Sequence, residues 1–110
     1  MAYDEGTAQR VREYFEDHPY AHEKKMFGGI AFMLSGNMCV GVLQDGIVVR
    51  VGLPSYEQAL QEAYAREFDF TGRPMKGWVF IASEGLAEDA ELHAWIARGE
   101  AFAGALEPKW

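Results

Sequence analysis

Apolar residues gather in three short runs in the first half of the chain, at 30–34, 38–43 and 47–51. Each is too short for a helix and rich in Val or other strand-favouring residues. Ser35-Gly36 separates the first two runs and Asp45-Gly46 the last two. Asp-Gly between such runs signals a two-residue hairpin, because a type I′ turn needs positive φ at both central residues. The stretch 24–52 is therefore predicted to be a three-stranded antiparallel meander on which the rest of the chain packs. Gly28-Gly29 just before it suggests a bulge or a close backbone approach.

On either side the period changes to that of a helix. Ala8, Val11 and Phe15 predict a helix over 4–16, with Asp4 as N-cap and Glu5 at the positive end of the dipole. His18-Pro19 stops it, since a residue before proline is pushed out of the α region. After the meander, Leu53-Pro54-Ser55 opens a second helix. Ser55 and Gln58 read as a capping box, Tyr56, Ala59, Leu60 and Ala63 as the buried stripe, and 64–66 as the end. Residues 67–71 alternate, Phe68 and Phe70 against Glu67 and Asp69, as a half-buried strand does. A long turn over 72–77 leads to a last strand over 78–82.

The final helix is predicted over 89–103, with Leu92, Trp95, Ile96, Gly99 and Phe102 on one stripe and Glu88, Asp89 and Glu91 at its positive end. Gly99 costs about 1 kcal/mol against alanine in a helix, which points to close packing there. The tail 107–110 is expected to fray. The order α-β-β-β-α-β-β-α predicts one α+β domain over 1–110, with three helices and a five-stranded, mainly antiparallel sheet.

Composition narrows the class. With 110 residues, 49% of them apolar, the chain can bury one core. No apolar run approaches the roughly 20 residues of a membrane helix, and the N-terminus lacks the basic start and apolar stretch of a secretory signal. The lone Cys39 excludes an internal disulfide, so a cytoplasmic protein is expected. A net charge of −7 argues against direct nucleic-acid binding. The acidity sits at the ends: residues 24–83 hold six basic and five acidic side chains, the remainder four and twelve. Acidic helix faces that keep the protein soluble account for this.

Candidate chemistry is sparse. His18 and His22, with Asp17 and Glu23, could suggest a metal. Pro19 makes helical i,i+4 geometry unavailable and no third ligand is implied, so 17–23 reads as an exposed polar loop and no cofactor is expected. Cys39 reads as a buried, inert thiol within a strand. Ser35, Ser55 and Ser83 fall at a turn, a cap and a strand end, and no Gly-x-Ser-x-Gly elbow is present. Glu67 and Asp69 share a strand face, but as the solvated side of an edge strand. His93 lies on the last helix with no evident partner. Gly28-Gly29 is not part of a phosphate loop. Trp78 or Phe27, beside Lys24, Lys25 or Lys76, could stack bases. Core packing is the reading for Phe32, Phe70, Phe80 and Trp95.

Four segments carry a likeness to a known family: KKMFGGIAFMLSGNMCVGV from Lys24, VRVG at 49–52, DFTGRPMKGWVFI at 69–81 and GLAEDAELHAWI at 85–96. Together they resemble the N-terminal domain of the TfoX/Sxy family over nearly the whole chain, Met-Phe-Gly-Gly and Gly-Arg-Pro-Met-Lys-Gly most specifically. The resemblance implies a small α+β domain with an antiparallel sheet and no established catalysis. It also implies kinship with bacterial regulators of natural competence that act alongside the cyclic-AMP receptor protein. Those regulators carry a helical C-terminal domain too; this chain, ending at Trp110, reads as a stand-alone copy. The function expected is thus a non-enzymatic regulatory or interaction module, with a small-molecule-binding or catalytic domain as the alternative.

A partner surface follows from register. A two-residue loop at Asp45-Gly46 pairs Gln44 with Ile47, Val42 with Val49 and Gly41 with Arg50. One face then carries Met38, Val40, Val42, Val49 and Val51. The other carries Cys39, Gly41, Leu43, Val48 and Arg50, joined by Ile30, Phe32 and Leu34 where Ser35-Gly36 is also a two-residue loop. Five strands span about 24 Å, and helices about 10 Å across would all be needed on the first face. The second face is therefore expected to be open to a protein partner or a second copy, with Arg50 at its centre and Gly41 giving it room. In the competing reading the last helix covers that face and Arg50 pairs with a local carboxylate. The candidate partner-binding residues are Lys24, Lys25, Gly41, Arg50, Arg73, Lys76 and Trp78.

Overall fold

A computed structural model describes residues 3–26, 28–69 and 72–109. The elements run α1 (Glu5–Tyr14), β1 (Ala21–Met26), β2 (Gly29–Leu34), β3 (Asn37–Val42), β4 (Gly46–Arg50), α2 (Leu53–Leu60), β5 (Ala65–Glu67), β6 (Trp78–Ala82), a 3₁₀ turn (Ser83–Leu86) and α3 (Asp89–Ala103). The fold is α+β, with the order α-β-β-β-β-α-β-β-α. The sheet has six strands rather than five, in the spatial order β1-β2-β3-β4-β6-β5, and every neighbouring pair is antiparallel. The additional strand is β1. Its sequence, AHEKKM, has no buried position, so its side chains carry no period-two signal.

Two turns define the meander, the first a two-residue loop as expected and the second displaced by one residue. Ser35 (φ 51°) and Gly36 (φ 83°) both take the left-handed conformation, giving the β2–β3 hairpin its type I′ geometry. At the next hairpin the turn sits one residue early. The Leu43 N–H donates to the Gly46 carbonyl at 2.9 Å, so Gln44-Asp45 is the loop and Gly46 already belongs to β4. Val42 therefore pairs with Ile47, Val40 with Val49 and Gly41 with Val48. Arg50 faces Trp78 on β6, not Gly41. The space above Gly41 is filled by the Met38 methyl and a Val48 methyl.

A β-bulge corrects the faces. Met33 pairs with Met38 but Phe32 with Val40, leaving Cys39 as the extra residue. One inserted residue reverses the parity of everything beyond it. Ile30 and Phe32 consequently share a face with Val40 and Val42, and Met38 moves to the opposite one.

All three helices lie on that first face. Ala8, Val11 and Phe15 of α1 and its end, Tyr56 and Ala59 of α2, and Leu92, Trp95 and Ile96 of α3 form one core with Phe32, Val40, Val42, Ile47, Val49, Val79 and Ile81. α3 crosses β3 and β4 directly. Gly99 makes the crossing possible: a Cβ there would lie 2.9 Å from the Cys39 carbonyl oxygen and 3.1 Å from its Sγ.

The opposite face, expected to be open, holds a second, smaller core. Ala31, Met33, Met38, Val48, Phe68 and Phe80 are buried there, and among the described residues no helix contributes to that cluster. Phe68 and Met75, joined by the Met75 N–H donating to the Phe68 carbonyl at 2.9 Å, bring the β5–β6 connection onto it.

Other boundaries shift for local reasons. α1 has the expected cap: the Asp4 carboxylate accepts from the Thr7 N–H at 2.9 Å and the Thr7 hydroxyl at 2.7 Å. α2 starts at Leu53 with Gly52 as N-cap, so Ser55 lies inside the first turn and makes no capping bond. The capping-box contact belongs to α3, where the Glu88 N–H donates to the Glu91 carboxylate at 3.3 Å. α2 ends at Leu60, because Tyr64 turns left-handed (φ 67°) and its carbonyl accepts from the Ala82 N–H, starting β5 ahead of the expected 67–71. Phe68 is buried and Glu67 and Asp69 are exposed, as their alternation implies; Phe70 and Thr71 lie outside the described residues. The tail is docked rather than frayed: the Lys109 N–H donates to the Ser35 carbonyl at 2.7 Å and the Asn37 amide to the Glu107 carbonyl at 2.9 Å.

Candidate functional site

Of the candidate histidines and cysteine, His18 and Cys39 come under the influence of Glu100. α3 carries Glu100 to the end of α1, where its carboxylate accepts from the Tyr14 hydroxyl at 2.8 Å. His18 Nε2 stands 3.8 Å from the other carboxylate oxygen, and the His93 ring lies 5.2 Å from that of Tyr14. Burial, reinforced by the Glu100 hydrogen bond, pushes the Tyr14 phenol up to about 12. Burial likewise pushes the Cys39 thiol up to about 12, with the Glu100 charge adding to it. A thiol so placed stays protonated at neutral pH and is a poor nucleophile. His22 is elsewhere, on the outer strand opposite Met33, so His18 and His22 are not a ligand pair. Among the described residues no three His, Cys, Asp or Glu side chains are grouped as a metal site.

The sheet edge is the second feature. β1 is outermost, and its residues 22–25 are all exposed. By register, His22 and Lys24 share the face of Met33 and Ala31, whereas Glu23 and Lys25 share the helical face of Phe32 and Ile30. Between β1 and α1 lies a cavity of about 380 Å³. Phe15 and Phe32, with rings stacked at 6.1 Å, contribute to its lining, together with Glu13, Glu16 and Glu23. Arg12 spans one wall. Its guanidinium donates to both Glu23 oxygens at 2.6 and 3.0 Å, to Gln9 at 2.7 Å and to Glu5 at 3.4 Å.

The remaining candidate residues are dispersed. Arg50 lies over Trp78 at 5.1 Å and over Phe102 of α3 at 5.4 Å, a cation–π sandwich at the sheet end in place of the expected carboxylate pair or open central charge. Gly41 is buried. Arg73 and Lys76 are exposed on the β5–β6 connection. Lys24 and Lys25 sit together on β1 but point to opposite faces. The arrangement thus brings Arg50 to Trp78 and Lys24 alongside Lys25, and does not bring Gly41 to Arg50.

Residues 13–103 match a family model described as the TfoX N-terminal domain. The chain belongs to the TfoX N-terminal domain family. The match runs from the end of α1 to the end of α3 and so spans the whole sheet. No curated protein and no solved structure matches the chain. The TfoX N-terminal domain is not a known enzyme family. No helix among the described residues is long and apolar enough to cross a membrane.

Sequence reasoning missed the edge strand and the Tyr14–Glu100–His18 cluster. The cluster joins residues far apart in sequence and had no local signal. A signal for β1 was present in Gly28-Gly29, since Gly29 opens β2 directly opposite Met26 at the end of β1.

Proposed function

We infer that this TfoX N-terminal domain is a non-enzymatic protein-interaction module, acting in the cytoplasm in transcriptional regulation of the kind its family serves in competence. The observation that carries the reading is the sheet edge. A six-residue outer strand, exposed along its centre, offers a row of backbone donors and acceptors to an incoming strand, while its charged side chains select among partners. The state of the titratable and basic side chains supports the same reading. Tyr14 and Cys39 are held in their protonated forms, and the Arg12, Arg10 and Arg98 guanidinia are bonded within the fold.

The cavity between α1 and β1 supports the alternative of small-molecule binding, since its volume falls within the usual range for ligand pockets, roughly 300–1,000 Å³. Arg12 in its wall is already committed to Glu23, Gln9 and Glu5, which favours the interaction reading.

Lys25→Pro tests it. The residue-25 N–H faces away from β2, so proline there removes an outward donor and leaves the β1–β2 ladder intact. The variant is expected to keep the wild-type circular dichroism spectrum and lose the proteins that the wild type captures. Capture unaffected by Lys25→Pro, or a turnover abolished by Glu100→Gln, would overturn the reading.

A further inference from the structure

The outward edge of β1 is complementary to itself. We propose that β1 pairs antiparallel with β1 of a second copy about a two-fold axis through Lys24, joining two six-stranded sheets into one. The proposal rests on the interaction-module reading and names the partner.

The backbone phase comes first. The Ser35 N–H donates to the Tyr20 carbonyl at 3.1 Å, so positions 20 and 35 are a hydrogen-bonded pair. In an antiparallel ladder such pairs alternate, so His22 and Lys24 bond to β2, and Ala21, Glu23 and Lys25 turn their N–H and C=O outward. The Ala21 N–H is already directed to the His18 carbonyl at 3.4 Å. Glu23 and Lys25 are left as the groups that can receive another strand.

Symmetry then limits the registers. A two-fold axis perpendicular to the sheet keeps each face continuous and must pass through a residue of β1. Centred on Glu23, the pairing opposes two glutamates and calls on the Ala21 N–H that His18 uses. Centred on Lys25, it opposes two lysines in the closely bonded pair and runs beyond the end of the strand. Centred on Lys24, it opposes Glu23 to Lys25 of the other copy, twice. Both residues of that pair have outward backbone groups, and both side chains lie on the helical face.

The cavity beside β1 fits the same register. Lys25 of the second copy arrives across from Glu23, where Glu13, Glu16 and Glu23 line the opening and Phe15 and Phe32 the interior. A lysine suits both, with methylenes against the rings and the ammonium toward Glu13 and Glu16, since Arg12 already holds both Glu23 oxygens. Lys24 meets its own copy on the other face. That like-charge pair opposes association, so residue 24 is the sensitive position.

Cysteine cross-linking reads the register. The central pair of this arrangement is of the non-hydrogen-bonded kind, with Cα atoms about 4.5 Å apart, within disulfide reach. The two copies of residue 25 are offset by two positions and lie beyond it. In the full chain, Lys24→Cys under mild oxidation is expected to give a covalent dimer and Lys25→Cys a monomer; buried Cys39 stays out of the reaction. Sedimentation of the uncross-linked wild type should show a dimer, and Lys25→Glu should weaken it on the order of tenfold or more. Mixing wild type with Lys24→Glu should favour the mixed dimer. A wild type that stays monomeric at its highest soluble concentration, or cross-linking at 25 in preference to 24, overturns the proposal. A monomer that still binds a different protein through β1 sinks self-pairing alone and leaves the module reading standing.

Discussion

Replacing Gly99 by alanine sets two effects against each other. In an exposed helix interior the change would stabilise by about 1 kcal/mol through helix propensity. Here the new Cβ would stand 2.9 Å from the Cys39 carbonyl oxygen, 3.1 Å from the Cys39 Sγ and 3.1 Å from a Val49 methyl. Heavy atoms of this kind settle at about 3.5–4.0 Å, so α3 must lift by several tenths of an ångström along the crossing. The carbonyl cannot swing aside, because it lies in the bulged backbone of β3, flanked by β2 and β4. Overpacking of this sort costs about 1–3 kcal/mol, so after the propensity gain the net loss is between about 0 and 2 kcal/mol. In a domain of this size that lowers Tm by up to about 10 °C. Urea unfolding followed by circular dichroism should show a lower midpoint with an unchanged slope. A Gly99→Ala protein more stable than wild type, as an unobstructed helix interior would give, would refute the reasoning about close packing.

Three further outcomes are expected. Asp4→Ala removes the α1 cap and should cost about 1 kcal/mol at neutral pH, measured by urea unfolding. The Thr7 hydroxyl and N–H hold the Asp4 carboxyl below its ordinary value, so the cap's contribution is present above that value and fades as pH falls through the lowered one; the difference between Asp4→Ala and wild type should narrow in acid. Tyr14 has the opposite sign: its folded value is raised to about 12, so its contribution is intact below about pH 10 and is lost as pH rises toward 12, and Tyr14→Phe should flatten the alkaline part of the stability profile. Cys39 should resist alkylation at neutral pH in the native protein and react fully in denaturant; rapid native labelling would contradict its burial.

How much of this was legible in the sequence depended on whether burial left a periodic trace. α3 was readable to the residue because Leu92, Trp95, Ile96 and Gly99 face the sheet at helical spacing. The runs that became β2, β3 and β4 were readable because they are apolar on both faces, each facing a core. β1 was not, because an edge strand with exposed charges has no apolar alternation to show. The bulge at Cys39 was invisible for a different reason: nothing local marks it, yet it moved Met38 and the β2 residues to opposite faces. The displaced Gln44-Asp45 turn followed from where β4 meets β6, with Gly46 opposite Ala82. Of the candidate residues, Lys24 and Lys25 were picked out as basic side chains next to an aromatic in sequence, but their place on an edge strand came only with the fold.

Amide hydrogen exchange along β1 tests the central claim most directly. In dilute protein, the amides of His22 and Lys24, bonded to β2, should exchange slowly, while those of Glu23 and Lys25 should exchange fast. Binding of a partner to the edge should slow the second pair and leave the first unchanged. Uniform protection along β1 in the dilute protein, or fast exchange at 23 and 25 that persists in the bound state, would contradict an interaction module built on this edge.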